Sequence, residues 1–218
     1  MFIGHFAVGF AAKRWAPRTS LAVLLAAPLV ADILFQVLVL AGIERASLYS
    51  GPTPFLQLSL DAYPWSHSLM MDGVWALGLG GAVWARTRDR TAALVVAIGV
   101  LSHWVLDWIT HRPDMPLWPG GPEVGLGLYY SVRGTVVVES LMLAVGVALY
   151  VAATASRDRI GQIALAGFVA FLAVAYVGSV MAPPPTRLTP VLWVGVIATP
   201  VWLGWAWWFD RHREPVAR

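Results

Sequence analysis

With 218 residues, 58% of them hydrophobic and only 12% charged, and a mean hydropathy of +0.68, the chain is too apolar for a water-soluble domain of its size. It contains no cysteine, which excludes disulfides and thiolate metal sites and leaves nitrogen and oxygen to hold any metal. The net charge of +3 does not describe a nucleic-acid surface, because the basic residues punctuate apolar runs instead of clustering on a polar face, and no nucleic-acid partner is expected.

The first apolar stretch, 2–12, is too short to cross a bilayer. Lys13 and Arg14 follow it rather than precede it, so it reads as a retained, half-inserted helix and not as a cleaved signal peptide. Six stretches then reach the roughly 20 residues that a span requires: about 19–43, 64–85, 91–111, 134–155, 159–181 and 188–209. Pro64 suits the first turn of the second of these, and small residues such as Gly78, Gly80 and Gly81 suit close helix packing in lipid. The expected fold is an all-α, polytopic transmembrane bundle. It forms a single integral membrane domain over 1–218, with about six full spans plus the short N-terminal helix, the polar part lying within about 1–155 and additional spans within about 156–210.

Lys and Arg set the expected orientation. One side collects Lys13, Arg14, Arg18, Arg86, Arg88, Arg90, Arg157, Arg159, Arg211, Arg213 and Arg218, against Arg45, Arg112, Arg133 and Arg187 on the other. The basic side, with both terminal segments, is expected in the cytoplasm of a cell with this protein in its inner membrane. The loops of about 44–63 and 112–133 then lie outside. Trp15, Trp65, Trp84, Trp108, Trp205, Trp207 and Trp208 fall near the expected span ends, where tryptophan rings favour the interface.

Ionisable groups inside spans are costly unless paired, hydrated or bound to metal, and this chain has many: Asp32, His67, Asp72, His103, Asp107, His111 and Glu139, with His5 in the short N-terminal helix. Counted from their basic anchors at 1.5 Å per residue, Asp32 and Asp72 lie about 21 Å deep, His103 about 20 Å, Asp107 about 26 Å, Glu139 about 27 Å and His67 about 28 Å. Separate helices thus deliver polar groups to one slab between the midplane and the outer third of the bilayer.

His103-x-x-x-Asp107-x-x-x-His111 places its first two side chains one turn apart, about 5–6 Å, where both can ligate one ion. His111 rotates about 80° from His103 and sits near a helix end set by Pro113, so it is the weaker candidate. His67 projects from the start of its helix. Asp72, five residues on, serves equally well as a supporting group or a ligand. Asp32 follows Pro28 by four residues, where a proline kink opens the backbone. Glu139 is open to three roles: ligand, general base, or partner of Arg133.

The stretches Gly4-His5-x-x-x-Gly9, Asp32 after a proline, Trp65-Ser66-His67-Ser68-Leu69, and Ser102-His103-x-x-x-Asp107 followed by Leu117-Trp118-Pro119 together resemble the bacterial membrane-bound metal-dependent hydrolases. These are also labelled LexA-binding, inner-membrane-associated hydrolases and are distantly like zinc-dependent phospholipase C. The resemblance covers roughly the first 150 residues and implies His5, Asp32, His67, His103 and Asp107 as metal ligands. Two positions depart from the family pattern: Pro28-Leu-Val-Ala-Asp32 replaces Pro-Asp-x-Asp, and Ala62-Tyr63 replaces a His-Arg pair.

Three functions fit these residues. The first is a membrane-embedded metal-dependent hydrolase acting on a lipid or other amphipathic substrate in the outer half of the bilayer. It would use Zn²⁺, or else Mn²⁺ or Fe²⁺, with Glu139 or Asp72 moving the proton and the 112–133 loop as a lid. The second is a proton-coupled transporter that uses the same groups as a relay. The third is a scaffold in which they bind helices together.

Overall fold

The computed structural model describes residues 1–216. Arg218, counted above with the basic side, lies outside the described residues. Eight helices make up the bundle: α1 (Ile3–Ala12), α2 (Leu21–Leu40), α3 (Pro64–His67), α4 (Leu69–Thr87), α5 (Arg90–Thr110), α6 (Val132–Ala153), α7 (Arg159–Met181) and α8 (Leu188–Arg211). Three two-stranded antiparallel ribbons tie the connections: β1 (Arg45–Leu48) with β2 (Leu58–Ala62), β3 (Met115–Pro116) with β4 (Glu123–Val124), and β5 (Thr154–Ser156) with β6 (Arg213–Pro215).

Five helices, α2, α5, α6, α7 and α8, are long and apolar enough to cross a membrane. The sixth expected span divides. Pro64 opens α3 as its first helical residue, but Ser68 turns extended, with φ −78° and ψ 144°, and its hydroxyl caps α4 by accepting from Met71 N. The remaining 19-residue α4 is less apolar, carrying Asp72, Arg86 and four glycines, and it packs along α5. His67 and Asp72 consequently sit on different helices.

The short N-terminal helix, too short to cross, packs inside the bundle: eight of its ten residues are buried, against α2, α5, α6 and α7. Apart from His5 its side chains are apolar, and Val8 and Ala11 are half-buried. Phe6 and Phe10 join Leu21, Leu25, Tyr150, Phe168 and Phe209 in the principal core. A second cluster of small and branched side chains, including Ala27, Ala76, Val96 and Val100, joins α2, α4 and α5. Near the basic end Asp210 of α8 fastens three helices: it accepts from Lys13 Nζ at 2.7 Å, from the first α2 amide at Leu21 at 2.9 Å, and from Tyr150 Oη at 2.8 Å.

The seat of α1 depends on Gly146 of α6. A Cβ there would collide with the carbonyl and Cα of Ala7, which is backbone and has no rotamer to change. Gly146→Ala is therefore expected to destabilise the bundle by about 1–3 kcal/mol, as overpacking does. The fall should be read as a lower thermal midpoint in detergent. An unchanged midpoint would show that α1 is not seated by this contact.

Candidate metal centre

Four helices deliver five side chains to one point: His5 from α1, Asp32 from α2, His67 from α3, and His103 with Asp107 from α5. One ligand atom from each of His5, His103 and Asp107 lies within 4.8 Å of the other two, and Asp32, His67 and His103 form a second such group. His5, His67, His103 and Asp107 are buried, at 0, 3, 0 and 2% exposure.

Asp107 is the hub. Its Oδ1 faces His5 Nε2 at 3.1 Å and the Met1 amino nitrogen. Its Oδ2 faces His103 Nε2 at 3.2 Å, His111 Nε2 at 3.5 Å and His67 Nε2 at 4.0 Å. Asp32 Oδ1 stands 3.7 Å from His67 Nε2. The rings pack closely, His5 parallel to His103 at 4.1 Å and His67 edge-on to His103 at 4.9 Å. Ligand atoms around a tetrahedral zinc lie about 3.4 Å apart, given bond lengths of about 2.1 Å.

The outward nitrogens decide which lone pairs face inward. His103 Nδ1 donates to the carbonyl of Pro28 at 2.8 Å, in a helix loosened by that proline. His67 Nδ1 lies 2.7 Å from Ser66 Oγ, which lies 2.7 Å from Glu44 Oε2. Because the serine hydrogen goes to the carboxylate, the network assigns the ring proton of His67 to Nδ1. Both Nε2 atoms therefore point toward carboxylate oxygens, and His103 Nε2 has no hydrogen-bond partner among the described residues. A proton or a metal cation between such facing atoms offsets the repulsion of two acceptors. The Met1 amino group supplies one positive charge at the edge of the cluster, 3.0 Å from His5 Nε2. The donor set, imidazole nitrogens and carboxylate oxygens with ordered outer partners, fits a divalent transition metal.

His111 sits one turn beyond Asp107 as its i,i+4 neighbour, with its amide still donating to the Asp107 carbonyl at 2.7 Å, and it belongs to neither group of potential ligands. α5 ends at Thr110, and ψ 153° at His111 turns the chain that follows. His111 Nδ1 meets Asp114 Oδ1 at 3.3 Å and the ring leans on Tyr129. Glu139 has a different neighbour from those expected. Its Oε2 accepts from Phe2 N at 2.9 Å and Gly4 N at 3.0 Å, capping α1, whose own N-cap residue Phe2 supplies no acceptor. Asp72 lies behind His103, with Oδ2 accepting from Trp104 N at 3.2 Å.

A cavity of about 720 Å³ opens from the cluster. Asp32, His67, Asp107 and His111 line its polar end. Phe35, Phe55, Leu58 and Leu60 line its apolar wall, and Val191 and Val194 of α8 form its edge. Both long loops contribute, with Asp114 and Tyr129 from one and Phe55 and its neighbours from the other, the Tyr129 ring stacked on Phe55 at 5.2 Å. Glu44, Asp114 and Tyr129 escaped the sequence reading, having no spacing that connects them to the motifs, and Ser66 stood in the Trp65–Leu69 motif without a role of its own.

No curated protein and no solved structure matches the chain. The model of one family, described as YdjM inner membrane protein, matches residues 1–184, from α1 through α7. A buried His/Asp cluster on short and long apolar helices and a profile match over most of its length lead to one assignment: the chain belongs to the YdjM inner membrane protein family.

Proposed function

We propose that this protein is a membrane-embedded, metal-dependent hydrolase, with His5, Asp32, His67, His103 and Asp107 holding a divalent ion, Zn²⁺ first and Mn²⁺ or Fe²⁺ as alternatives. The observation that carries the reading is the convergence of His67 and His103, whose Nδ1 atoms are both engaged from outside, on Asp32 and Asp107 at one point. Bound there, such an ion supplies Lewis-acid polarisation of a carbonyl or phosphoryl group and lowers the pKa of a water toward about 7.

The residues around it have separate work. Asp107 faces four imidazoles and fixes their relative positions. Phe35 packs edge-on to His67 at 5.5 Å and keeps water from its outer face. The apolar wall accepts a hydrocarbon portion, and the exposed Val191 and Val194 bring the cavity edge to the lipid-facing side of α8. That combination supports a lipid or other amphipathic substrate entering from the bilayer. With the basic side in the cytoplasm, the site lies in the outer half.

Elemental analysis of protein purified without chelators tests the reading. About one transition-metal ion or more per chain is expected. Chelation should lower the thermal midpoint and zinc should restore it, because a ligand at about 1,000 times its Kd stabilises by about 4 kcal/mol. Metal-free protein that ignores added zinc would refute the assignment, and proteoliposome flux surviving strict chelation would transfer these residues to a carrier.

A further inference from the structure

α1 is one leaflet long. Its 10 residues make a rod of about 15 Å, half of the roughly 30 Å hydrocarbon core, between α5 and α6 with 21 and 22 residues. It is also recessed. Its backbone sits against Gly146 of α6, and its outward stripe is Val8, Ala11 and Trp15, small side chains ending in a 55% exposed tryptophan. Leu94 and Ile98 of α5 and Leu141 and Val145 of α6 stand out on either side, 53, 61, 62 and 58% exposed.

Two grooves result. One, of about 650 Å³, runs between α1 and α5 from Arg90 and Trp15 to Gly99. The other, of about 350 Å³, runs between α1 and α6 from Gly146 to Leu141. Both are floored by Val8 and Ala11, which form the ridge that separates them.

We propose that this pair of grooves holds the two acyl chains of one anionic diacyl phospholipid, straddling α1 at Val8 and Ala11, with its headgroup at Arg90 and Trp15. Two channels divided by a ridge of small side chains fit two chains. From Arg90 to Ile98 is about 12 Å along α5, the depth of a single leaflet's tails. The headgroup end is basic: Arg86, Arg88 and Arg90 are exposed on the α4–α5 turn, and Arg18 is exposed nearby in the α1–α2 connection. The acid of that turn, Asp89, is directed to Ala92 N at 3.0 Å as the cap of α5. Tryptophan at this level is the usual interfacial neighbour of headgroups, and each nearby basic residue attracts an anionic lipid by about 1 kcal/mol. This site is independent of the metal centre.

Native mass spectrometry of the full chain in a nonionic detergent, titrated with dioleoyl phosphatidylglycerol or dioleoyl phosphatidylcholine, tests it. One phosphatidylglycerol per chain is expected, retained about tenfold better than phosphatidylcholine. Ala11→Phe fills the ridge and should lower retention of either lipid by about tenfold. Arg90→Gln, a surface change that leaves the fold intact, should reduce only the preference, by about fivefold. Val174→Phe, at a 72% exposed position on α7, should change nothing. Equal retention of both headgroups, two equivalent phosphatidylglycerols, or full retention by Ala11→Phe would each overturn the proposal.

Discussion

Replacing His103 by alanine is expected to remove the stoichiometric metal and to weaken zinc binding by more than about 100-fold. The expectation rests on its position: His103 belongs to both ligand groups, while each of the other four residues belongs to one. Losing only the outer partner of a ligating histidine costs about 10–100-fold in affinity, and loss of the nitrogen itself must exceed that. The change also leaves the Pro28 carbonyl without its side-chain donor and opens space beside the His5 ring. A loss of about 1–3 kcal/mol in the metal-free protein is therefore expected as well. Measuring zinc affinity and the metal-free thermal midpoint together separates the two effects. Unchanged metal content in a folded His103→Ala protein would exclude the ligand set as proposed.

The bundle was legible because a hydrocarbon solvent imposes long apolar runs, and the boundaries of α2, α5, α7 and α8 fall within three residues of those expected. The depth of the polar groups was legible for a similar reason, since rise per residue converts position into depth. His5, Asp32, His67, His103 and Asp107, read from one slab and from the family resemblance, are the side chains that the fold gathers. The number of spans was less accessible. The break at Ser68 is a local cap that turns one apolar stretch into α3 and a shorter α4, and hydropathy does not register a change of direction.

What remained hidden depends on contacts between distant parts of the chain. Glu139 had three readings from its own neighbourhood, and its partners turn out to be the amides of Phe2 and Gly4, 135 or more positions away. Asp72 and His103 sat at matching depth, yet depth carries no azimuth, and Asp72 is directed at the Trp104 amide. His111, the weaker candidate from its rotation relative to His103, reaches Asp107 as an i,i+4 neighbour and joins neither group of potential ligands. Glu44 has no motif to mark it, but the return of β2 toward α3 leaves it 1% exposed.

Glu44→Gln is expected to weaken zinc binding by about 10–100-fold while changing the metal-free midpoint little. Glu44 Oε1 accepts from Trp65 N at 2.8 Å and Ser66 N at 2.9 Å, and its Oε2 accepts from Ser66 Oγ at 2.7 Å. A glutamine can keep its oxygen toward the two amides, which then places its NH₂ against the serine. Ser66 must now accept from that amide and turn its own hydrogen toward His67 Nδ1. The imidazole can receive it only as the opposite tautomer, with its proton on Nε2, and a protonated Nε2 has no lone pair for an ion. Ser66→Ala should weaken binding as well, by leaving Nδ1 without an acceptor, but without forcing the tautomer. Nitrogen-15 chemical shifts of His67 in the metal-free protein distinguish the two variants, because Nδ1 and Nε2 exchange protonated and unprotonated positions in Glu44→Gln alone. A glutamine variant that binds zinc as tightly as the parent, with unshifted ring nitrogens, would show that this relay does not set the tautomer and that His67 is oriented by its ring contacts instead.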